Sequence, residues 1–588
     1  MVISINSSFG GKSLFPAPKK TTEMIFSTQT TTLQRLLPFV LVFAVYIVGM
    51  CLDVMDIDSA QYAEIAREMQ ATNEWLQVKQ HGVDYLDKPP LLFWITAFVF
   101  KIFGVSVFTF RLVPVLLSFF GAYATYQLAK IYYSEKVAYL SALLLVSCQA
   151  LFLMNHDLRT DNLLTTCIAF TLWQLAAYLQ QANWKNLVGG FVGIGLAMLA
   201  KGPIGLVIPV LTFGVDVLIK RQWSAIFRWQ YVVGLAIVAL LLFPMSWGLY
   251  QQFDLHPEKV VNGQTGVSGL RFYYWTQSFG RITGENLWSN NPDPFFLVHT
   301  TFWSFLPWTV FMLIAYWKET VRIVRNRWAA VSPTQEVLVW WGITLTFLAL
   351  SRSKYQLNHY IYPIYPLVAV LTAKYIVQLA EDTTTSTRQW LTRIQISVLG
   401  ILSTVVGFLW YCFPLTLATA WVGLGLLGGF VAALYFVFRP TSSIQQLVTP
   451  YFCAIIGINL FLNGAIYPSL FNYQSESQAG HYVNANPTIN KEHFYIVADV
   501  NTLLSLDFTV DKVVESYPSF DKLPQKGTVW VYCLADKYEV AQQQVPTAKL
   551  KVLQTFEDFH VSEVTLPFLL PSSRSSTVKK VYLLEVTQ

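Results

Sequence analysis

The sequence predicts an α-helical polytopic membrane protein. About thirteen transmembrane helices, with interfacial helices in the first outer loop, precede a small soluble C-terminal α/β domain. Three observations predict this class. Of 588 residues, 54% are hydrophobic and 13% charged, against about 25% charged in a soluble globule; mean hydropathy is +0.44. Apolar runs of near-spanning length recur from residue 33 to residue 468. Beyond residue 470 the pattern changes to short strand-like runs between turn residues. Together these exclude a water-soluble globule, a disordered chain and a nucleic-acid-binding domain. The six cysteines show no CxxC or Cys/His spacing and mostly lie in apolar runs, so they read as buried small apolar residues.

Residues 1–32 are polar and carry Lys12, Lys19 and Lys20 ahead of the first apolar run, 33–51, with Arg35 at its start. No small-residue cleavage site follows, so the run reads as an uncleaved span whose basic flank stays in the cytoplasm. Further runs lie near 110–131, 137–154, 162–180, 187–200, 203–219, 230–250, 296–317, 336–350, 359–378, 393–413, 417–437 and 449–468. A short run at 91–106, interrupted by Lys101, is ambiguous. If it lies flat on the membrane, thirteen spans place Lys220, Arg221, Arg228, Lys318, Arg322, Arg325, Arg327, Arg388, Arg393 and Arg439 in the cytoplasm, the positive-inside pattern. If it spans, every later loop inverts. The expected organisation is a cytoplasmic tail (1–32), a transmembrane catalytic domain (33–469) and a soluble outer domain (470–588). The last contains strand-like segments at 494–500, 528–534 and 578–586.

The same parity gathers the polar oddities on the outer side. Asp53, Asp56 and Asp58 follow the first span and lead into SAQYAEIAREM, a helical pattern. Aspartates at a membrane edge can simply be solvated or cap a helix; clustered in a polar cavity they serve as general bases or metal ligands. In VDYLDKPPLLFW, Pro89 and Pro90 fix the backbone and set Lys88, with Asp87 beside it, at a rigid corner. That lysine is either a snorkelling anchor or a fixed cation for a lipid phosphate. MNHDLRTDNLL puts His156, Asp157, Arg159 and Asp161 at a helix mouth; Lys201 lies in the LAKGP turn. Both loops read as interfacial anchors or as a cavity wall. In SRSKYQLNHYIYPIYP, Arg352 and Lys354 depart from positive-inside, which an anionic ligand explains; His359 and Tyr360 follow. The long loop 251–295 carries Tyr273, Tyr274, Trp275 and Trp288, aromatic faces that suit sugar rings. No P-loop, GxSxG elbow, dinucleotide fingerprint or standard metal motif occurs.

The ordered set DIDSAQYAEIAREM, YLDKPPLLFW, RTDNLL, AKGP and SRSKYQLNHYIYPIYP resembles the GT-C superfamily of polyprenyl-phosphate-dependent glycosyltransferases. It is most similar to the bacterial aminoarabinose (lipid A) transferases and the protein mannosyltransferases, over about residues 33–370. The resemblance implies Asp58 and Asp161 as catalytic carboxylates, and Lys88 and Tyr85 at the lipid phosphate. It implies a divalent metal ion as the cofactor, at Asp87. Arg352, Lys354 and Tyr360 are expected to complete the donor site. Two positions depart from the family pattern, where Glu becomes Ser59 and Arg becomes Gln61.

The expected activity is transfer of a sugar from undecaprenyl phosphate to lipid A, another glycan or a protein, by inverting displacement at the periplasmic face of the bacterial inner membrane. The alternative is a lipid-linked sugar transporter without chemistry. That reading lacks the paired halves usual in transporters.

Overall fold

The structure is a computed structural model. It describes residues 32–587 except 56, 286–289, 291, 326–336, 382–384, 440–442, 500–502, 525–526 and 545–548. The tail 1–31, Asp56, Trp288 and Arg327 therefore lie outside the described residues.

All thirteen apolar runs fall on helical segments. The first eight helices are α1 (Thr32–Met50), α2 (Asp58–Thr72), α3 (Leu91–Phe103), α4 (Val107–Tyr132), α5 (Glu135–Val146), α6 (Gln149–Met154), α7 (Thr160–Gln181) and α8 (Trp184–Lys201). Among the described residues, eight helical segments are long and apolar enough to cross a membrane. The count of thirteen is not reproduced on those criteria, and the reasons are local. The run 137–154 breaks at Ser147 and Cys148 into α5 and α6, and the run 296–317 breaks between Ser304 and Thr309. Segments Ile204–Ile219 and Leu338–Ser351 are apolar but short. The ambiguous run forms α3 with 13 residues, about 20 Å of helix against the roughly 30 Å of a bilayer core.

Helix packing is close where small residues permit it. A Cβ on Gly429 would meet the Cys453 carbonyl at 2.7 Å, so the helices Ala420–Phe438 and Ser443–Phe461 touch backbone to backbone. Buried Arg111, on α4, donates to the carbonyls of Leu52, Asp53 and His156, tying the segment after α1 to the loop before α7. Between α2 and α3, β1 (Lys79–Gln80) and β2 (Val83–Asp84) form a short antiparallel hairpin. A second one, β3 (Val260–Val261) with β4 (Gln264–Thr265), lies in the long loop.

The C-terminal region carries a mixed five-stranded sheet. Its strands are β5 (Phe494–Val497), β6 (Ser516–Tyr517), β7 (Thr528–Leu534), β8 (Leu550–Asp558) and β9 (Lys579–Thr587), in the order β6-β5-β7-β9-β8. β5 runs parallel to β6 and β7, while β9 is antiparallel to β7 and β8. Alternation sends Phe494 and Ile496 to one face and Tyr495 and Val497 to the other. Ala479 and Val483 of helix Ser475–Ala485, with Leu506 of helix Leu504–Val510, cover the first face; Ala541 of helix Ala535–Gln544 covers the second. The helix Leu504–Val510 over this sheet contacts the helical body through Phe508, whose ring lies 6.3 Å from Phe100 and 6.1 Å from Phe110.

Candidate active site

Helix termini and tight turns bring the polar residues of five separate segments together. Asp58 opens α2, and Asp161 sits in the first turn of α7, where the helix dipole favours a carboxylate. Lys201 ends α8 because Gly202 takes φ +89° and Pro203 starts the next helix. A Cβ on Gly205 would lie 2.5 Å from the Ala197 carbonyl carbon, so this turn folds flat against α8. Pro90 caps α3 and fixes Lys88 just ahead of it.

Lys88, Asp161 and Lys201 border a cavity of ≈ 130 Å³. Its polar wall includes Lys88, Asp161, Lys201, Arg281 and Tyr360; Leu164, Ile204, Ile208 and Leu350 supply apolar wall. Asp161 is buried and accepts from Lys201 Nζ at 2.5 Å, with His359 Nε2 3.5 Å from its other oxygen. Lys201 Nζ lies 4.1 Å from the centre of the Tyr360 ring, and the Tyr360 hydroxyl accepts from Arg281. Lys88 Nζ donates to Asp87 at 2.6 Å. Gln277 donates to the Asp87 carbonyl and, at 3.1 Å, to its carboxylate. The cavity wall thus carries three cations and one carboxylate.

Asp58 stands beside this cavity, not in its wall, and is partly exposed. It pairs with Arg159, which also donates to Asp157 at 2.5 Å. Burial opposes the Arg159 charge, but Asp157 and Asp58 outweigh it and hold its pKa above the usual guanidinium value. Burial, then the fields of Asp87 and Asp58, push the Tyr85 phenol well above its ordinary pKa. Tyr85 is therefore a neutral group, linking the Asp58 side to the Asp87–Lys88 side.

The structure joins Lys88, Asp161 and Tyr360 at one cavity, with Tyr85 and Asp58 adjoining. It does not place Arg352 or Lys354 in the wall. Both are exposed, and Ser353 between them lines the cavity instead; in an extended turn, neighbours on either side of an inward residue face outward. Their expected place is taken by Lys201 and Arg281. His156, expected at the mouth, is buried against Tyr467 with ring centres 4.8 Å apart. Burial, with Arg111 adding, lowers its pKa to about 3, so it is a neutral packing group. Arg281 was the residue hardest to find from sequence. Its signal was a second departure from positive-inside, within FGRITGEN of the long loop.

The residues around Asp87 do not fit a metal centre. Its carboxylate is engaged by Lys88 and Gln277. Among the described residues no group of three His, Cys, Asp or Glu is arranged to hold an ion. No step is derived through one.

The profile of the dolichyl-phosphate-mannose-protein mannosyltransferase family matches residues 87–247, which include Lys88, Asp161 and Lys201. Undecaprenyl phosphate-alpha-4-amino-4-deoxy-L-arabinose arabinosyl transferase of Edwardsiella ictaluri is 25% identical over 338 residues, covering 55% of this chain and 56% of its own. The chain thus spans about half the length of the curated relatives it matches. Crystal structures of ArnT from Cupriavidus metallidurans superpose along almost the whole length. The form bound to undecaprenyl phosphate gives a TM-score of 0.68 at 17% identity, covering 94% of this chain and 98% of that one. The chain has the ArnT fold. The apo form of the same protein gives 0.67, covering 93% and 97%. The resemblance to aminoarabinose transferases thus extends from the motifs to the fold along almost the whole chain.

Proposed function

We propose that this protein transfers a sugar from a polyprenyl-phosphate donor, undecaprenyl phosphate in a bacterial membrane, to a lipid, glycan or protein acceptor. Lipid A is the acceptor class that the motif resemblance to the aminoarabinose transferases favours. The observation that carries this reading is the cavity bordered by Lys88, Lys201 and Arg281 over apolar helix walls. A phosphate on an isoprenoid presents that combination of charge and grease. The charge pattern across the loops favours an outer-face site, with residues 470–588 as an outer domain beside it.

The donor phosphodiester carries about one negative charge; the departing lipid monophosphate carries about −1.5 to −2 at neutral pH. Three cations against one carboxylate therefore match the product side of the reaction better than the ground state, which is the condition for lowering the barrier. Lys201 and Arg281 grip Tyr360 between them, and Asp161 fixes Lys201. The acceptor oxygen forms a bond to the anomeric carbon as that carbon's bond to the phosphate oxygen breaks. The electron pair leaves with the phosphate, and the acceptor proton passes to the Asp58 carboxylate. Attack opposite the leaving group inverts the anomeric centre. Arg159 holds Asp58 in place, and Tyr85 offers a neutral hydroxyl near the phosphate. Arg352 and Lys354, exposed on the neighbouring loop, add positive field without touching the cavity.

The test incubates purified protein with radiolabelled undecaprenyl-phosphate aminoarabinose and lipid A, and separately with other polyprenyl-phosphate sugars and acceptors. Label should move to one acceptor. Donor binding without transfer, in every pairing, would refute the reading.

A further inference from the structure

The chain between α1 and Asp58 is held from two sides. On the membrane-domain side, Arg111 donates to the carbonyls of Leu52 and Asp53. On the other side the grip comes from the C-terminal region. His481 Nε2 donates to Asp53 Oδ1 at 2.7 Å. Buried Gln474 donates to the Val54 carbonyl at 2.8 Å, and its own amide is fixed by Ser477 Oγ at 2.5 Å. Ser505 Oγ lies 3.5 Å from the same carbonyl. Three consecutive residues are thus tied to a helix of the body and to two helices of the C-terminal region. Asp58 follows four residues after Val54.

We propose that the C-terminal region is part of the catalytic apparatus, because His481 and Gln474 act as positioning residues that hold the Asp58-bearing segment at the cavity. The proposal rests on Asp58 having the role given above. An α/β module that merely decorated the membrane domain would need surface contact; it would not need to satisfy carbonyls of the segment entering α2. Groups that position a catalytic side chain through its backbone act by geometry, and a displacement of about 1 Å can cost about 100-fold in rate.

His481 makes the grip sensitive to pH. Asp53 is the titratable group facing it, with Arg111 bound to the Asp53 carbonyl beyond. The hydrogen bond that His481 donates to Asp53 raises its pKa, with burial opposing. A raised pKa means the contribution is complete below the unfolded value of about 6.5 and is lost as pH rises through the folded value. His481 is half exposed, so substitutions there should fold.

The experiment compares wild type, His481→Leu and His481→Gln at about pH 6 and about pH 8.5. It measures kcat and donor KM with the radiolabelled donor, and hydrogen exchange of the amides at Leu52–Val54. In His481→Leu, kcat should fall by about tenfold or more at pH 6 with donor KM unchanged, and these amides should exchange faster. In His481→Gln, which keeps an N–H donor, kcat should be restored and the change in exchange between the two pH values lost. An unchanged kcat in His481→Leu overturns the proposal, as does a fall in kcat that His481→Gln does not rescue. Should wild type transfer no sugar, the proposed function fails. The exchange arm still decides whether His481 holds this segment, and equal exchange in all three proteins overturns it.

Discussion

Single side chains decide the chemistry. Asp58→Asn removes the proton acceptor while keeping the shape, so kcat should drop by about 10²–10⁴-fold, read in single-turnover assays. Arg281→Gln and Lys201→Met act on the leaving phosphate, so each should lower kcat more than it raises donor KM. An equal loss in Arg352→Gln would return that residue to the site. Lys88 and Asp161 were legible in the sequence because their neighbours are unusual: a Pro-Pro corner and a run of four polar groups at a helix mouth. The same run also shows what sequence hides. Of its four members, Asp161 lines the cavity, Arg159 and Asp157 bind one another beside Asp58, and His156 turns away into the core. Spacing along the chain places all four at one loop, but rotamer and burial assign them to different tasks.

Elements joined across the molecule set its stability. The hairpin of β1 and β2 presents His81 to the C-terminal region, with Nε2 3.5 Å from Glu64 and 3.3 Å from Asp507. Arg67 pairs with Glu64 at 2.5 Å and reaches Asp511 at 3.5 Å, while Glu68 accepts from the His81 amide at 2.5 Å. Burial lowers the His81 pKa, but Glu64, Asp507 and Glu68 outweigh it, so the net shift is upward. Burial, with Glu64 adding, pushes Asp507 up to about 7 against the opposing pulls of the Val514 amide, His81 and Arg67. Both groups therefore bind protons more tightly when docked. Glu64, whose pKa is lowered because Arg67 and His81 overcome its burial, is ionised throughout the neutral range. The melting temperature in detergent should fall as pH rises from about 4 through 7, the window between the unfolded and folded values of Asp507, and His81→Gln should remove only the part of the slope above about pH 6.5. A flat wild-type profile would contradict it. The two that reach the C-terminal region, His81 to Asp507 and Arg67 to Asp511, were invisible in the sequence because they join residues more than 400 apart. The strands were easier: β5 and β7 fall within the expected strand-like runs, and β9 does so except for its last residue. β8 was missed because it is an edge strand with most side chains in solvent, leaving little alternation to read.

For the whole molecule, hydropathy gave the membrane class and the positions of the helices, since burial of apolar length in lipid is a bulk property. It did not give the breaks. Ser147 and Cys148 interrupt an otherwise apolar stretch without a proline or charge to announce it, and only tertiary packing shows the pause. The proposed topology has a direct check. Single cysteines at exposed positions near Lys88 and near Arg352, in a background where exposed Cys51 is replaced, should both react with an impermeant maleimide from the outside of intact cells. Labelling from opposite faces would dissolve the proposed site.

One consequence concerns the purified protein itself. Tyr360 is wedged between Lys201 and Arg281, with Lys88 on the same wall, so mutual repulsion among like charges is built into the fold. A lipid anion that quiets this repulsion should behave as a stabiliser as well as a reactant. Saturating undecaprenyl phosphate at about 100 times its dissociation constant should add about 2.7 kcal/mol, seen as a higher melting temperature. The same rise should shrink in Arg281→Gln, making heat a second assay for the pocket's electrostatic tension.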